Sequence, residues 1–400
     1  MMEEETSSTE SLPDGFIVAK RFKIIQKLGE GGCGSVFKVD DMEEKGQHAM
    51  KVEFTNAQGG SILKMEVQIL QEMSTKKHVP KLIASGKKNE FSYMVMTLLG
   101  ESLSSIMSKH GPYFSVSTQC RIGINLLFSL KQIHDIGYIH RDVKPANIAL
   151  GLKGSAEERI FMLLDFGLAR KFYQKLVDGR CAMRRPRERA LFRGTAKYCS
   201  FGMHERLDQG RVDDLWAIIY ILAEMRCKLP WADTGEKTDI ADLKKATTDK
   251  ILFGKSPVQM LDFVKVVRDM SFYERPNYEA LYRILADIMK AGDYKWSDPY
   301  PWEQSNDTKG KKKDGMTSKE GGGASKEGGV VLIERSIKTK KKSMEPCNDM
   351  KKDGSKKTLA ASIKGFSLKK IKKKSGTKAK EDGEVPYFQL DDFNTNPLGF

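Results

Sequence analysis

The spacing of apolar residues changes near Gly100. Upstream, three stretches alternate apolar and polar residues and are rich in branched side chains, which predicts β-strands. They are FKIIQKLGEGGCGSVFKVDD (22–41), GQHAMKVEF (46–54) and FSYMVMTLL (91–99). An apolar stretch with helical spacing, around Ile62–Met73, lies between the second and the third. The first hundred residues are therefore predicted to form a sheet with one helix.

Downstream of Gly100 the apolar spacing becomes helical. One predicted helix has a single apolar face, made by Ile122, Leu126, Leu127, Leu130 and Ile133. Another, from Leu215 to Leu222, is apolar nearly all round, which is typical of a helix buried in a core. Strands followed by helices predict one α+β domain over about 16–302.

The composition changes again after Trp302. Segments such as KGKKKDG and LKKIKKKSGTKAK cannot bury enough apolar surface to offset chain entropy. Residues 303–400 carry 23 Lys and Arg against 14 Asp and Glu, so most of the net charge of +15 belongs to this part. We predict a basic, low-complexity tail over 303–400, disordered to about residue 380, that ends in a different, acidic and aromatic stretch, YFQLDDFNTNPLGF.

The other end of the chain is acidic. Residues 1–15 are rich in Glu, Ser and Thr, lack a signal-peptide apolar stretch and are predicted to be disordered; no run of 18 apolar residues occurs later. The six cysteines form no C-x-x-C pair, which favours reduced thiols over disulfides or a zinc site. We expect a monomeric cytoplasmic protein, present also in the nucleus, without a transmembrane segment.

A glycine-rich turn joins two predicted strands. Residues Gly29 to Val36, GEGGCGSV, fit the pattern G-x-G-x-x-G-x-V, whose backbone N–H groups can close over a polyphosphate. The pattern alone is weak, because a glycine-rich hairpin would look the same. A dinucleotide-binding fold is disfavoured, since a strand and not a helix follows the glycines.

Two charged residues follow in an informative order. Lys51 lies on a predicted strand, and Glu66 lies 15 residues later in the predicted helix. Such a pair could hold the lysine ammonium against the α- and β-phosphates of a nucleotide. Either residue alone would be interpreted as a solvated surface charge, so the hypothesis depends on their order and spacing.

The most specific signal is HRDVKPAN (140–147), followed by Asp165-Phe166-Gly167. Phosphoryl transfer needs an acceptor for the proton of the attacking hydroxyl, which Asp142 would supply. Asp165 and Asn147 carry the hard oxygen atoms that Mg²⁺ prefers. Lys144 is expected to contact the γ-phosphate, and His140 to pack in the core. An ordinary charged loop is a poor explanation for the octapeptide once the preceding motifs are counted.

With these motifs the chain resembles the eukaryotic protein kinase superfamily over about 16–302. Three segments resemble the casein kinase 1 group: residues 95–103, the segment GTAKYCS (194–200) in place of an A-P-E segment, and RPNY (275–278). Four others are similar to its tau-tubulin kinase branch: FRGT (192–195), DDLW (213–216), LPW (229–231) and SDPYPW (297–302). The resemblance implies a bilobal protein kinase fold, with a small β-rich N-lobe over about 16–99 and a larger, mainly helical C-lobe over about 100–302.

The same resemblance implies an activity and a set of residues. It implies transfer of the ATP γ-phosphate, with Mg²⁺, to Ser or Thr of protein substrates, among them cytoskeletal proteins. The implied catalytic residues are Asp142, Lys144, Asn147 and Asp165, the last two as metal ligands. The implied nucleotide-binding residues are Leu28, Gly29, Gly31, Gly34, Val36, Ala49, Lys51, Glu66, Met96, Leu98 and Leu99. Met96 would guard the back of the adenine pocket, Thr97 to Leu99 would form the hinge, and Asp214 would brace the catalytic loop.

The stretch Leu168–Arg193 has an unusual composition. It contains no Ser or Thr, which excludes activation by Ser/Thr phosphorylation inside it and leaves Tyr173, with Thr195 beyond. It holds nine Lys and Arg against two acidic residues, and arginine suits phosphate and carboxylate groups. We predict acidic or prephosphorylated substrates; a solvated loop without a specific role is the alternative. One departure, FGMH at 201–204 in place of the Ser-Ile-Asn-x-His run of the casein kinase 1 group, puts inheritance of that group's substrates in doubt.

Other functions stay open at this point. A pseudokinase scaffold is weakened by the presence of all the catalytic positions. The Lys-rich tail could instead be an arm that binds nucleic acid, microtubules or membrane through salt-dependent attraction, although it lacks interleaved aromatic residues. Tyr specificity is disfavoured by the lysine two positions after Asp142, a pattern of Ser/Thr kinases.

Overall fold

The computed structural model describes residues 12–31, 34–54, 62–303 and 388–399. The N-lobe is built on a six-stranded sheet with antiparallel neighbours throughout. Its strands are β1 (Ile17–Val18), β2 (Phe22–Gly31), β3 (Gly34–Asp41), β4 (Gly46–Phe54), β5 (Leu82–Lys87) and β6 (Phe91–Thr97). Their order across the sheet is β1-β2-β3-β4-β6-β5.

The alternating sequence pattern gives this sheet two different faces. On β3 every second residue is buried, and Phe37 and Val39 pack with Met50, Val52 and Val95 into a small apolar core. Successive side chains of a strand point to opposite faces, so the residues between these lie on the other face. That second face looks toward the rest of the protein and carries the predicted site residues of β3, β4 and β6.

One helix completes the N-lobe. Helix α1 (Ile62–Glu72) buries Leu63, Glu66, Ile69 and Leu70 and packs against β5 and β6. A buried glutamate among apolar residues is costly unless it is paired. Its partner is therefore expected on the facing strands.

The C-lobe is mainly helical. Its helices are α2 (Leu103–His110), α3 (Val116–Asp135), α4 (Phe201–His204), α5 (Arg211–Glu224), α6 (Lys237–Ala246), α7 (Asp249–Phe253), α8 (Met260–Arg268) and α9 (Tyr278–Ala291). Side-chain caps start several of them: Ser115 Oγ accepts a hydrogen bond from the N–H of Thr118, and Asn277 Oδ1 accepts one from the N–H of Ala280. Helix α5 is buried, as its apolar pattern predicts. Among the helices of the described ranges, none could cross a membrane.

Short antiparallel strand pairs lie between α3 and α4 in the sequence. They pair β7 (Tyr138–Ile139) with β10 (Arg170–Lys171), β8 (Ile148–Leu150) with β9 (Phe161–Leu163), and β11 (Tyr173–Lys175) with β12 (Cys181–Met183). A 3₁₀ turn, Pro145–Asn147, leads into β8. These pairings bring residues 140–147 and 164–169 side by side.

Residues 388–399 belong to the same compact unit as the kinase-like domain. They contain helix α10 (Asp391–Asn394) and bury Phe388 and Phe393. The sequence prediction of a tail over 303–400 needs correction here, because two aromatic side chains supply the apolar surface that the Lys-rich segments lack. The predicted disorder of residues 1–15 meets described residues only at 12–15, where Leu12 packs against the small apolar core and the N–H of Gly15 donates to the Ile24 carbonyl at 2.8 Å. Residues 1–11 and 304–387 lie outside the described residues.

Candidate active site

The predicted lysine and glutamate form an ion pair inside the N-lobe. Lys51 Nζ on β4 forms an ion pair with Glu66 Oε1 on α1 and a second one, at 3.1 Å, with Asp165 Oδ1. Lys51 is 7% exposed and Glu66 is 1% exposed. Burial disfavours the charged lysine, but the two carboxylates outweigh it and raise the pKa of Lys51. Burial also raises the pKa of Glu66, and the attraction of Lys51 opposes this. The cluster thus holds two carboxylates against one ammonium.

The apolar members of the predicted nucleotide site share one face of the sheet. Val36 lies opposite Lys51, and Ala49 lies opposite Met96, so all four side chains point to the same side. Leu28 on β2 is 45% exposed. Leu98 and Leu99 follow β6 and are half-buried, and the N–H of Gly100 donates to the carbonyl of Leu150 at 2.8 Å. The strand end is thereby fixed to the C-lobe.

The glycine-rich turn lies at the ends of β2 and β3. Gly31 pairs with Gly34, while Gly32 and Cys33 lie outside the described residues. Gly34 has φ 109°, and a Cβ there would lie 2.0 Å from the Val52 carbonyl oxygen, so only glycine fits. At Gly29 and Gly31 a Cβ would meet no described atom within 4 Å.

Both carboxylate oxygens of Asp142 accept hydrogen bonds. Lys144 Nζ donates to Oδ2 and Thr195 Oγ1 donates to Oδ1, each at 2.7 Å. Asn147 Nδ2 donates to the Asp142 carbonyl at 3.0 Å, which leaves the amide oxygen of Asn147 available as a cation ligand. The carboxylate is 9% exposed and held in one orientation beside Asp165's loop.

A buried aspartate braces this loop from below. Asp214 on α5 accepts hydrogen bonds from the backbone N–H groups of His140, at 2.7 Å, and Arg141, at 2.8 Å. His134 Nε2 lies 3.0 Å from Asp214 Oδ2. Burial would raise the pKa of Asp214, but these hydrogen bonds keep it below its usual value. Arg141 and Asp165 both have positive φ, 68° and 64°, a strain that the surrounding contacts must hold.

The second charged cluster was missed by the sequence analysis. Asp208, which is 9% exposed, accepts hydrogen bonds from Arg170 Nη1 at 3.0 Å and from Arg187 Nη2 at 2.7 Å. Burial opposes ionisation of Asp208, but the arginines lower its pKa to about 2. Burial and the nearby charges of Arg170, Arg187 and Arg193 lower the pKa of Arg141 to about 10. No spacing rule links residue 208 to 170 and 187.

The predicted basic cluster therefore divides into two parts. Arg187 is bound to Asp208, and Arg184 Nε donates to the Tyr173 carbonyl at 3.3 Å. Arg185, Arg189 and Arg193 are exposed, and within the described residues they form no ion pair or hydrogen bond. Lys197, four residues beyond the stretch, forms an ion pair with Glu224. Only part of the predicted positive charge is thus free for a ligand.

A buried lysine holds the segment after the basic stretch. Lys244 Nζ on α6 donates to the carbonyls of Ala196, at 2.7 Å, and Cys199, at 2.5 Å. Burial lowers the pKa of Lys244 to about 8. Gly194 has φ 93°, and a Cβ there would lie 2.4 Å from the Arg141 carbonyl oxygen, so this segment packs directly on the catalytic loop.

The two-lobed fold and this arrangement of charged residues are those of a protein kinase, and the comparison with known proteins gives the same class. The model of the protein kinase domain matches residues 22–284, and the chain belongs to the protein kinase family. It is 53% identical over 395 residues, 98% of both chains, to "Putative serine/threonine-protein kinase K06H7.1" of Caenorhabditis elegans. The chain is a serine/threonine protein kinase.

Two further relatives from Caenorhabditis elegans are more distant. "Putative casein kinase I C03C10.2" is 34% identical over 304 residues, 74% of this chain and 86% of the relative. "Inactive tau-tubulin kinase ttbk-6" is 33% identical over 249 residues, 60% of this chain and 86% of the relative. The resemblance to the casein kinase 1 and tau-tubulin kinase types is confirmed.

Proposed function

We propose that this kinase is catalytically active, that Asp142 is the proton acceptor, and that Lys51 and Asp165 orient ATP and Mg²⁺ in the cleft. The observation that carries the proposal is the joint pairing of Lys51 with Glu66 and Asp165 beside an Asp142 whose carboxylate is fully hydrogen-bonded. Protein kinases in general use ATP with Mg²⁺, so the cofactor follows from the family, and the residues are the proposal.

The donor set fits a nucleotide-bound magnesium ion. Asp165 offers a carboxylate and Asn147 an amide oxygen, and Mg²⁺ is usually held by one or two carboxylates together with substrate phosphates and water. Within the described ranges, no group of three His, Cys, Asp or Glu side chains could hold a metal by itself. The ion would supply positive charge that stabilises the phosphate oxygens during transfer.

The residues around Asp142 suit transfer to a hydroxyl. The carboxylate can accept the proton of a Ser or Thr hydroxyl brought within hydrogen-bond reach. Lys144, held 2.7 Å from the same carboxylate, contributes a positive charge toward the transferred phosphoryl group. Thr195 donates to the other carboxylate oxygen of Asp142 and thereby joins the segment 194–200 to the catalytic loop.

A scaffold without activity is the second candidate, because one relative is named inactive. Against it, Lys51, Asp142 and Asp165 are present and their charged groups face one cleft. A scaffold would have no need of this arrangement. The alternative in which the basic tail is the functional element concerns residues outside the described ranges and remains a prediction.

For substrates we propose acidic or prephosphorylated sequences. The support is the group Arg185, Arg189 and Arg193, which are exposed and have no partner among the described residues. Their forked donors match carboxylate and phosphate. Cytoskeletal proteins are one substrate class to examine, since a relative is named as a tau-tubulin kinase. Residence in the cytoplasm and the nucleus stays a prediction.

We also propose that the kinase needs no activating phosphate. Asp208 supplies a permanent negative charge to Arg170 and Arg187, next to the catalytic-loop Arg141. A phosphate in the loop would serve the same purpose by pairing with arginines. The carboxylate makes this addition unnecessary, in keeping with a stretch that has no Ser or Thr.

The test is phosphate transfer by the full chain and its Asp142→Asn variant to a mixture of Ser- and Thr-containing peptides. General base catalysis contributes roughly 10²–10⁴-fold, so kcat should fall by about that factor with an unchanged Tm. The matched control is Asp287→Asn on α9, which should leave kcat unchanged. Near-normal kcat in Asp142→Asn would refute the assigned role, and no transfer by the wild-type chain would favour the scaffold.

A further inference from the structure

The C-terminal segment, residues 388–399, fills an aromatic surface of the C-lobe. Phe388 is 1% exposed; its ring centroid lies 4.9 Å from that of Phe128 and 5.6 Å from that of Trp296. Phe393 is fully buried and stacks on Tyr282 with a centroid distance of 4.4 Å and an interplanar angle of 17°. His78 completes the surface at 5.5 Å from Phe388. We call Phe128, Tyr282, Trp296 and His78 the aromatic site.

Polar contacts fix the register of the segment on this surface. Lys131 Nζ donates to Thr395 Oγ1 at 2.7 Å, and Arg275 Nη2 donates to the Thr395 carbonyl at 2.5 Å. Inside the segment, the N–H of Gln389 donates to Asp392 Oδ2 at 2.7 Å, which closes a turn between the two phenylalanines. The segment thus has two aromatic anchors, five positions apart, and a hydroxyl and a carbonyl that accept hydrogen bonds from Lys131 and Arg275.

The segment behaves like a bound peptide and not like an element of the domain. Helix α10 has four residues, far too few to be stable by itself, so its conformation depends on the surface beneath it. Between the anchors and after them, most side chains are exposed. Because the segment belongs to the same chain, its binding to the site is intramolecular.

The bound segment lies one contact away from the catalytic-loop brace. Asn396 and Leu398 close a small cavity that His134, Arg275 and Tyr278 also line. The Tyr278 hydroxyl lies 2.5 Å from His134 Nδ1, and the other ring nitrogen of His134 lies 3.0 Å from Asp214. Asp214 in turn holds the N–H groups of His140 and Arg141. Arg275, which donates to the Thr395 carbonyl, also lies over the Tyr278 ring, 5.1 Å from its centroid. A chain of contacts therefore leads from the segment through Arg275, Tyr278 and His134 to the catalytic loop.

We propose that the aromatic site is a peptide-binding site for sequences with two aromatic residues five positions apart. Residues 388–399 are its resident ligand, and occupancy holds the catalytic-loop brace in place. The occupant is this chain's own segment because each anchor already has its pocket and both cations are engaged by Thr395. An external peptide of the same pattern would compete for the site.

The experiment uses the full chain with Phe388→Ala and Phe393→Ala together, and a synthetic labelled peptide of residues 387–400. The double variant should bind the peptide saturably, at least tenfold more tightly than the wild-type chain, whose site is filled. Its Tm should be lower than that of the wild type by roughly 5 °C, and the peptide should restore it. A peptide with both phenylalanines changed to alanine is the ligand control, and the exposed Asn394→Ala is the chain control.

The coupling is read by hydrogen–deuterium exchange and needs no kinase activity. The amides of His140 and Arg141, both bonded to Asp214, should exchange at least threefold faster in the double variant and return to the wild-type rate with peptide. Absence of saturable binding, equal binding to the wild type, or unchanged exchange at these two amides would each overturn the proposal. If the double variant does not fold, Phe393→Ala alone removes one anchor and is judged by the same three measurements. The result is independent of whether Asp142 has its proposed role.

Discussion

The two charged clusters of the active site have opposite imbalances. In the cleft, the carboxylates of Glu66 and Asp165 share one ammonium, that of Lys51. In the basic stretch (168–193), Arg170 and Arg187 share the single carboxylate of Asp208, with Arg141 beside them. Buried charges are stable only when they are compensated. The first cluster therefore favours an incoming cation, whereas at the second the carboxylate of Asp208 already occupies the position that an anion would take.

The largest effect is expected at the negative cluster. Asp165→Asn removes the charged ligand from the magnesium ion, and metal ions contribute several kcal/mol to transition-state stabilisation, so kcat should fall by roughly 10³-fold. Magnesium titrations of the remaining activity should shift to higher concentration. Asp293→Asn, at an exposed position, is the control. An unchanged magnesium titration in Asp165→Asn would contradict the proposed role of Asp165 as a metal ligand.

A smaller loss is expected at the positive cluster. Asp208→Asn leaves Arg170 and Arg187 without their counter-charge. Because the basic stretch then loses its ion pairs with residue 208, kcat/KM should fall about tenfold. The position of the lost carboxylate is an anion site, so added sulfate should restore part of the activity of the variant. Sulfate should leave the activity of the wild type unchanged. Mass spectrometry should find the wild type fully active without phosphate in residues 168–194; a requirement for such phosphate would contradict the role of Asp208.

The free arginines should change substrate choice and little else. Replacing Arg185, Arg189 and Arg193 with Gln should lower kcat/KM for acidic or prephosphorylated peptides about five- to tenfold at low salt, with neutral peptides and the KM for ATP unaffected. The matched control replaces the exposed Lys87, Lys88 and Lys290 with Gln. Equal losses for neutral and acidic peptides would mean that these arginines do not read the substrate.

The smallest effect concerns pH and stability. The folded-state pKa of Asp208 is about 2, below the value of about 3.9 of an unfolded chain, so its contribution to stability is complete above about pH 4 and is lost as the pH falls from there toward 2. In denaturant titrations, the stability difference between the wild type and Asp208→Asn should be constant from pH 7 to 5 and shrink between pH 4 and 3. A difference that grows on acidification would have the wrong sign.

The sequence predicts the cleft better than the positive cluster, for a physical reason. Asp142, Asn147 and Asp165 lie in short motifs with fixed spacing, and the alternation on β3 and β4 predicts which residues share the face with Lys51. The basic stretch was evident from composition, but composition does not say which arginines are already paired. That depends on Asp208, whose contacts with Arg170 and Arg187 arise only when the chain folds back.

The same limit applies to two other contacts. From the sequence alone Lys244 would be interpreted as a surface charge, yet it is buried against the carbonyls of Ala196 and Cys199. The sequence shows the aromatic residues of the C-terminal stretch but does not identify their partners. A contact between residues as far apart as 128 and 388 produces no repeating pattern in the sequence. Patterns predict local structure, while contacts between distant residues depend on packing.

The burial of Phe388 and Phe393 also has a consequence during synthesis. The ribosome makes Phe128, Tyr282 and Trp296 before it makes the segment that covers them, and about 90 residues separate Trp296 from Phe388, or roughly 5–20 s of translation. During that interval the nascent kinase displays an uncovered aromatic patch of the kind that chaperones bind. A message broken before codon 388 would leave the patch uncovered permanently, so such truncated chains would stay open to chaperone binding.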